Sequence, residues 1–590
     1  MEETIYQLVR KAEEDDLAGS TIISKYVTFS LRENIEKIDA YLNSKHISGD
    51  TDSMGREKPF FNIVTGAVNI WYRATDVDRK NIIIGAGKGK ETILAFLATA
   101  ILQQWMRKQN IGSFLNDWGR SLARYGSTVV KFVEKGGELH ADVIPWNRLI
   151  IDPVDFENNI KIEVLELTPA QLRKREGYDQ EVVDKLIDSS VARQTMDRQN
   201  KDNKQGYIKL YEVHGELPLS FLTGKDKDDD TYVQQMHVIS FVAGKDKGEY
   251  DDFCLVSGKE KDPYMITHLI REDGRSQSIG AVENLFEAQW MMNHTVKGIK
   301  DQLDLASKLI YQTSDGNFVG QNALTAIETG DILIHATNQP LTQVTNTSHD
   351  IASLQNFGGM WQTLGREING ISDPMQGDVK AGAAWRQTQA LLQESHSLFE
   401  LMIENKKIHI EEMMRRFILP HIKTKLNNAD EVKATLDVHG IEKIDAIYIK
   451  NEAVTRENNR AKEQILNGDV ADPIDLQSAQ AQVQSELQDM GNQRFYTPKE
   501  IDWKTEFKDF EWEADVVVEG ESSNVVDDMA SLNTAFQTVA SLQGRPMSPE
   551  EKFFFNTILT KSGSVSPVEL QNIKSAPQPS PVPTNPLAAA

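Results

Sequence analysis

Residues 278–309, SIGAVENLFEAQWMMNHTVKGIKDQLDLASKL, form a long segment with a helical pattern. Its apolar residues form one stripe, with spacings of three or four positions apart from a gap of six between the second and third: Val282, Phe286, Met292, Val296, Ile299, Leu303 and Ala306. Polar residues recur at similar spacing on the other side: Glu283, Glu287, His294, Lys297, Lys300, Asp301, Asp304 and Lys308. These two faces predict one amphipathic helix over 279–309, about 45 Å long at a rise of 1.5 Å per residue.

Elements of very different length follow this segment. Residues 309–349 contain turns and strand-like runs such as GDILIHA, and residues 350–371 predict a weaker helix interrupted by glycines. A glycine-containing loop, 372–384, then precedes a helix that begins at Trp385 and would extend roughly 50 Å before Pro420 interrupts it. Because helices in compact domains average about three turns, this order favours an elongated, layered subunit that packs against neighbours.

The flanking regions combine helices and strands, so the predicted fold class is mixed α+β. Before residue 278 we expect two helices within 92–125, a hairpin that turns at Gly136-Gly137, and a β-rich region over 207–270. After residue 429, a glutamine-rich helix around 475–491 and the strand-like run FEWEADVVVEG continue the α+β pattern.

Composition narrows the function classes. The chain has 590 residues, enough for a large core without disulfides, and its one cysteine, Cys254, fits a reducing compartment and an inert thiol. No apolar run approaches the roughly 18 residues that a membrane span needs. The net charge of −24 disfavours ordinary nucleic-acid binding, which needs a basic face that neutralises phosphates. Solubility alone is another explanation of this acidity.

The glycine-rich stretch NIIIGAGKGKET, residues 81–92, resembles a phosphate-binding P-loop but does not match it. Ile84 stands where the motif needs its first glycine, and Glu91 stands where it needs a hydroxyl for magnesium. We expect a charged loop that caps the next helix. A nucleotide-binding enzyme that uses the loop at residues 85–90 is kept as an alternative.

Two other segments resemble metal sites without completing them. In HIEEMM, residues 409–414, Met413 stands where a zinc-binding helix needs its second histidine. The acidic run that begins at Lys225 resembles a calcium loop, but Thr231 and His237 stand at its glycine and glutamate positions. We therefore expect no catalytic residues, no cofactor and no metal ion, and we expect that the chain is not an enzyme.

Four segments, in collinear order, resemble the portal proteins of tailed bacteriophages. They are FLNDWGRSLARYGSTVVKFV (114–133), VIPWNRLIIDP (143–153), GAVENLFEAQWMMN (280–293) and GISDPMQGDVKAGAAWRQTQALLQESHSLFELMIEN (370–405). The first two are similar to a helix, small-residue turn, strand and Asp-Pro segment of portals, and the third to the start of their first stem helix. The fourth is similar to the tunnel loop and the long wing helix. The resemblance is one of layout and spans about residues 30–570.

This resemblance implies an elongated, multi-layer portal fold with an α+β wing, a long helical stem, a small α/β clip and a helical crown. By position, the regions are an N-terminal wing (1–277), first stem helix (278–308), clip (309–349), second stem helix (350–371), tunnel loop (372–384), long wing helix (385–428), C-terminal wing (429–522), crown (523–574) and disordered tail (575–590). Glycines at Gly358, Gly359, Gly365 and Gly370 depart from the portal pattern and weaken the prediction of a straight second stem helix.

Portal subunits form a ring, usually a dodecamer, at one capsid vertex, so the resemblance implies a structural protein of the virion. The terminase motor docks on such a ring and drives double-stranded DNA through its channel during packaging, and DNA ejection follows the same route. The implied partners are further copies of the chain, the terminase large subunit, head–tail adaptor or tail proteins at the clip, major capsid and scaffolding proteins, and DNA bound without sequence specificity. The implied location is the portal vertex, with the host cytoplasm during assembly and no membrane.

A channel for moving DNA must bind it weakly, because each neutralised phosphate adds affinity that a motor has to overcome. The mixed-charge face of the first stem helix fits such a wall. We expect these residues to face the channel or neighbouring subunits, or otherwise solvent: Glu283, Glu287, Lys297, Lys300, Asp301, Asp304 and Lys308. The residues of the DNA-channel tunnel loop would be Gln376, Gly377, Asp378, Val379, Lys380 and Gly382. Gly377 and Gly382 would permit flexing, and Asp378 and Lys380 would lie nearest to DNA, unless this is a surface loop without DNA contact. A virion protein without a channel is the remaining alternative.

Overall fold

The computed structural model of the chain describes residues 4–19, 21–25, 27–53, 55–77, 82–86, 93–175, 177–196, 206–224, 230–243, 250–306, 310–312, 314, 337–338, 342–344, 351–371, 385–426, 438–466, 475–490 and 512–516. It divides into two compact units. The first unit comprises Met1–Gly19, Tyr72–Ser278 and Ser397–Ala590, and the second comprises Ser20–Trp71 and Ile279–His396. Both helices and sheets are present, which confirms the predicted mixed α+β class.

The described helices, in chain order, are α1 (Ile5–Ala18), α2 (Leu31–Leu42), α3 (Val64–Ala74), α4 (Ile93–Lys108), α5 (Ile111–Tyr125), α6 (Pro169–Arg173), α7 (Gln180–Met196), α8 (Ser220–Thr223), α9 (Phe286–Ala306), α10 (Ile351–Ile368), α11 (Trp385–Met413), α12 (Leu419–Leu426), α13 (Val438–Leu466) and α14 (Leu476–Met490). None of these described helices is both long and apolar enough to span a bilayer.

The described strands are β1 (Thr21–Ser24), β2 (Val27–Phe29), β3 (Ile82–Ala86), β4 (Ser127–Lys135), β5 (Glu138–Ile144), β6 (Leu149–Ile151), β7 (Lys161–Leu167), β8 (Ile208–Pro218), β9 (Tyr232–Ala243), β10 (Tyr250–Lys259), β11 (Tyr264–His268), β12 (Ile310–Gln312), β13 (Thr342–Val344) and β14 (Trp512–Val516). The β-rich region predicted for residues 207–270 corresponds to β8 through β11 and is confirmed.

The first unit contains an antiparallel sheet with the strand order β10-β9-β8-β7-β6. One of its faces packs on α7 through residues such as Leu186 and Leu210, and a second core cluster joins α1 to the sheet through Val9 and Val213. Successive strand residues point to opposite faces, so two covered faces leave β8 buried along most of its length. Lys209 and Glu216, near the two ends of β8, are exposed, whereas the charged residue in its middle, Glu212, is buried.

A three-stranded sheet, β11-β4-β5, lies in the same unit and packs against α5. The β4–β5 hairpin turns at Gly136 and Gly137, whose φ angles are 59° and 75°, as the sequence predicts. Helices α4 and α5 meet at Asn110, which adopts a left-handed conformation (φ 51°), so the prediction of two helices within 92–125 is also confirmed.

In the second unit, the helix predicted over 279–309 begins later than expected. A 3-10 turn, Glu283–Leu285, precedes α9, and the N–H of Leu285 donates to the carbonyl of Val282. Just before this turn, the carbonyl of Ala281 accepts a tertiary hydrogen bond from Asn369 Nδ2 at 3.3 Å. This unit also contains two small sheets, β1-β2 and β12-β13.

Pro420 does not end the long helix that begins at Trp385. A π-helical turn, Met414–Ile418, joins α11 to α12, and the N–H of Leu419 donates to the carbonyl of Met414. Proline lacks an N–H, and its ring clashes with the carbonyl four residues earlier in an α-helix. The wider π turn directly before Pro420 accommodates the ring, and the chain continues as helix to Leu426.

Candidate functional site: the paired helices of the second unit

Helices α9 and α10 pack closely through glycines. A Cβ atom at Gly358 would stand 3.3 Å from Thr295 Cγ2, and one at Gly365 would stand 2.8 Å from Leu285 Cδ2. The two glycines are seven residues apart, about two helical turns, so they lie on one face of α10. The absence of side chains at these two positions allows the helix backbones to approach each other.

The glycines of the 350–371 segment do not break its helix. Helix α10 is continuous from Ile351 to Ile368. Gly370, two residues after the last helical residue, has a left-handed φ of 66°. The N–H of Gly370 donates to the carbonyl of Glu367 at 3.0 Å, and the N–H of Ile371 donates to that of Arg366 at 2.9 Å. This pair of hydrogen bonds is a Schellman cap.

We expect Gly365→Leu and Gly359→Leu to change stability in opposite directions. A leucine at Gly365 would overlap Leu285, and overpacking of this kind typically destabilises by about 1–3 kcal/mol. A Cβ atom at Gly359 would have no neighbouring atom within 4 Å, so a leucine there should stabilise α10 by roughly 0.5–1 kcal/mol through helix propensity. Hydrogen exchange of α9 and α10 peptides measures both effects. Equal shifts in the two variants would contradict the packing role of Gly365.

Two amide side chains on α9 bind the backbone of residues 57–63, called the strap below. Gln289 Oε1 accepts from the N–H of Ile63 at 2.9 Å, and Gln289 Nε2 donates to the carbonyl of Phe61 at 2.7 Å. Asn293 Oδ1 accepts from the N–H of Phe61 at 3.0 Å. Sequence reasoning missed both residues. The sequence signal that could have identified them is the spacing of the two amides, which stand four residues apart within the largely apolar segment AQWMMN.

Three residues predicted to face a channel make contacts within the second unit. Lys297 and Asp301 form an ion pair at 2.6 Å, and Arg56 lies 3.3 Å from the other oxygen of Asp301. Lys300 Nζ donates to the carbonyl of Glu57 at 3.1 Å. The mixed-charge face of α9 is therefore partly neutralised by its own neighbours.

The other residues of the predicted channel set have different environments. Glu283 accepts from Asn34 Nδ2 at 2.9 Å, Glu287 is exposed, and Asp304 is half-buried. The remaining predicted positions lie outside the described residues: Lys308, Gln376, Gly377, Asp378, Val379, Lys380 and Gly382. The predicted crown and tail also lie outside them, as does most of the predicted clip. That the predicted channel residues face a channel stays a prediction, because other copies of the chain would define the channel axis.

An apolar stripe on α10 is exposed. Four large side chains at spacings of three or four residues are accessible over 38–59% of their surface: Phe357, Met360, Leu364 and Ile368. They lie on a different side of α10 from Gly358 and Gly365, which face α9. Single exposed apolar residues are common on proteins, but a contiguous stripe of this kind marks an interaction surface. This stripe is called the α10 stripe below.

The first unit contains a buried cluster of charged side chains that sequence reasoning missed. Lys131 Nζ lies 2.6 Å from Glu163 Oε2 and 2.8 Å from Glu212 Oε1. His214 Nε2 lies 2.9 Å from the same oxygen of Glu212, and Tyr264 OH donates to Glu163 at 2.8 Å. We call these five residues the buried ion cluster. They come from β4, β7, β8 and β11, so only the three-dimensional structure brings them together.

The charges of the buried ion cluster stabilise one another. Burial by itself would raise the pKa of Glu212, but the hydrogen bond from His214 and the charge of Lys131 lower it to about 2. Burial would lower the pKa of Lys131, yet Glu212 and Glu163 outweigh this effect and raise it. The pKa of Tyr264 is raised well above its usual value, first by burial and then by the two carboxylates. The cluster thus contains a buried amine whose charge Glu163 and Glu212 stabilise, and a buried carboxylate, Glu212, that stays ionised down to low pH.

The described residues contain no group of three or more His, Cys, Asp or Glu side chains that could hold a metal ion. Burial raises the pKa of the Cys254 thiol, which disfavours the nucleophilic thiolate. Strand β3 pairs antiparallel with β14, whereas nucleotide-binding α/β folds use a parallel sheet. Residues 87–90 of the glycine-rich loop lie outside the described residues.

Comparison with known proteins adds no relative to these observations. No protein-family model matches the chain, and no curated protein matches it at a significant level.

Proposed function

We propose that this chain is a portal-type subunit: a non-enzymatic structural protein that assembles into a ring at one capsid vertex and conducts double-stranded DNA during packaging and ejection. The ring would serve as the docking platform for a terminase motor and, later, for head–tail adaptor or tail proteins. The collinear resemblance of residues 30–570 to portal proteins supports the proposal. The single structural observation that carries it is the exposed α10 stripe.

The α10 stripe favours assembly of several copies. Full burial of one Phe, Leu, Ile or Met side chain stabilises by about 1.5–3 kcal/mol. Because the four side chains of the stripe are roughly half exposed, covering them recovers about half of that amount each. If the stripe of one copy meets a different surface of the next, the contact is head-to-tail, and such contacts close into rings when the rotation permits.

The charge of the chain is consistent with a DNA conduit. Duplex DNA carries one negative charge per about 1.7 Å, and a basic wall would hold it through counterion release. The net charge of −24 disfavours such retention. On α9, the Lys297–Asp301 ion pair and the neighbouring Glu287 and Lys300 give a surface of mixed sign that has no continuous basic track.

Electron microscopy of the purified chain tests the proposal, together with two matched variants. We expect the wild-type protein to form rings with an open centre. Met360→Glu combined with Leu364→Glu places two charges in the α10 stripe and should abolish the rings, because a buried unpaired carboxylate is strongly unfavourable. Ala352→Glu combined with Gln355→Glu adds the same two charges to exposed positions of α10 outside the stripe, and should leave the rings intact. A monomeric wild-type protein, or equal disruption by both variants, would overturn the proposal.

A further inference from the structure

A cleft of about 600 Å³ lies within the second unit, between α2, the loop that follows it, and α9. Its volume is within the range of about 300–1,000 Å³ that is typical of ligand sites. Aromatic rings form much of its lining: Tyr41 and Phe286 meet edge to face with centroids 5.6 Å apart. Trp290 is 55% exposed and stacks on His294, with the ring planes only 10° apart. Nothing in the proposed ring requires this arrangement.

Positive charges surround the aromatic lining. The cleft is lined by Lys37, Lys58 and Lys297 but by only one carboxylate, Glu287. This sign is opposite to that of the chain, whose net charge is −24. The basic cleft is thus a local exception on an acidic protein.

Two of the three lysines carry a charge that no described carboxylate neutralises. Lys58 Nζ is held by three neutral oxygens, the carbonyl of Gly49 at 2.7 Å, Ser48 Oγ at 3.2 Å and the carbonyl of Ser48 at 3.4 Å, which leave its positive charge uncompensated. Within the part of the chain that the structure describes, no carboxylate lies within ion-pair distance of Lys37, whose Nζ stands 5.8 Å from the Phe286 ring centroid. Only Lys297 is paired, with Asp301.

We propose that this cleft binds an acidic peptide segment of a partner protein, with an aromatic or aliphatic side chain of the segment against Trp290 and its carboxylates at Lys37 and Lys58. Charge complementarity selects an acidic ligand. The aromatic lining supplies the central contact that typically dominates peptide binding. Glu287 accepts a hydrogen bond from a peptide N–H, but it would repel a phosphate. The strong negative charge of the chain also repels a polyanion such as DNA far more than a short peptide with a few carboxylates.

The cleft is formed by side chains of one unit, so peptide binding does not require ring formation. The probe is a fluorescein-labelled ten-residue peptide of Asp, Glu and Phe, titrated with the full chain while fluorescence anisotropy is measured. We expect a Kd on the order of micromolar at low salt, weakened at high salt. A matched peptide with Asn and Gln in place of the acids should bind at least about tenfold more weakly.

Single substitutions locate the binding site. Lys37→Glu should weaken binding about tenfold or more, and Trp290→Ala about thirtyfold, as for residues at the centre of an interface. Lys25→Glu makes the same charge change at an exposed residue of the same unit that does not line the cleft, and should leave the Kd unchanged. Both cleft residues are exposed, so the variants should retain the wild-type melting temperature. The proposal is overturned if the peptide does not bind, if the neutral peptide binds equally well, if neither cleft substitution matters, or if duplex or single-stranded DNA occupies the cleft in preference to the peptide.

Discussion

Lys131→Met is expected to destabilise the first unit by about 3–5 kcal/mol, the range for removing one partner from a buried ion pair. Lys131 is 8% exposed, and its ammonium contacts Glu163 and Glu212 together. Methionine fills a similar volume but leaves two carboxylates facing each other in a dry interior. The effect therefore comes from the uncompensated carboxylates and less from the lost contacts themselves.

The deficit caused by Lys131→Met should grow as the pH rises. In the wild-type protein the pKa of Glu212 is about 2, below its ordinary value of 4.5, so the stabilisation is present above pH 4.5 and is lost as pH falls toward 2. Without Lys131, Glu212 loses one of the two partners that lower its pKa, so this pKa is higher than in the wild type and the folded variant binds more protons. The variant should consequently be closer to the wild type at pH 5 than at pH 8.

Hydrogen exchange of the β4 and β8 peptides measures this change locally, which suits a chain of two units. A loss of 3–5 kcal/mol corresponds to roughly a hundred- to several-thousandfold faster exchange. Lys135→Met, at the exposed end of the same strand, is the matched control and should shift stability by no more than about 0.5 kcal/mol. Adding Glu163→Gln and Glu212→Gln to Lys131→Met should restore much of the protection. If the triple variant is as unstable as the single one, the uncompensated charges are not the cause.

The elements that could be predicted from the sequence are those whose signals are local. The hairpin at Gly136-Gly137 was predictable because two adjacent residues there need positive φ angles. Helix α5 was predictable because its apolar residues share one face. The start of α9 was not, because a 3-10 turn precedes it, and the Ala281 carbonyl beside that turn accepts from Asn369, about ninety positions away. Local patterns carry no information on such a contact.

The buried ion cluster shows why charged residues in strands are hard to interpret. Glu212 and His214 alternate with apolar residues in β8, a pattern that usually indicates one solvated face. Here Lys131 of β4 and Tyr264 of β11 pack against these two residues, so the polar positions are buried and need partners from other strands. For the candidate site, the sequence identified the charged residues of α9 but missed the amides that bind the strap. The channel role of these residues stays a prediction, since it depends on neighbouring copies.

Lys406 is expected to make the first unit more stable as the pH rises from 7 to 9.5. This residue of α11 is 1% exposed, and its Nζ donates to the carbonyl of Thr75 at 2.5 Å and lies 5.0 Å from the centroid of the Trp118 ring. Burial lowers the pKa of Lys406 from 10.5 to about 7, an effect that the charge of Asp76 opposes only in part. The folded state thus releases this proton over a pH range in which the unfolded chain retains it.

The direction of the effect follows from proton linkage. Below pH 7 the amine is protonated in both states, so its contribution does not vary with pH. Between pH 7 and 10.5 the unfolded state binds more protons, and the free energy of unfolding rises by up to about 1.4 kcal/mol per pH unit. The expected gain between pH 7 and 9.5 is about 3 kcal/mol. Burial lowers the pKa of the nearby His268 and His409 to about 4, so neither titrates in this window.

Comparing the wild type with Lys406→Met and Lys407→Met isolates the contribution of Lys406 to the pH dependence of stability. Both substitutions remove one positive charge from adjacent positions of α11, but only Lys406 is fully buried. Hydrogen exchange of α5 and α11 peptides, corrected for the intrinsic pH dependence of exchange, should show rising protection between pH 7 and 9.5 in the wild type and in Lys407→Met. Lys406→Met should give a flat profile, because methionine has no proton to release. A rise of equal size in Lys406→Met would mean that another group titrates, and that Lys406 stays charged inside the folded protein.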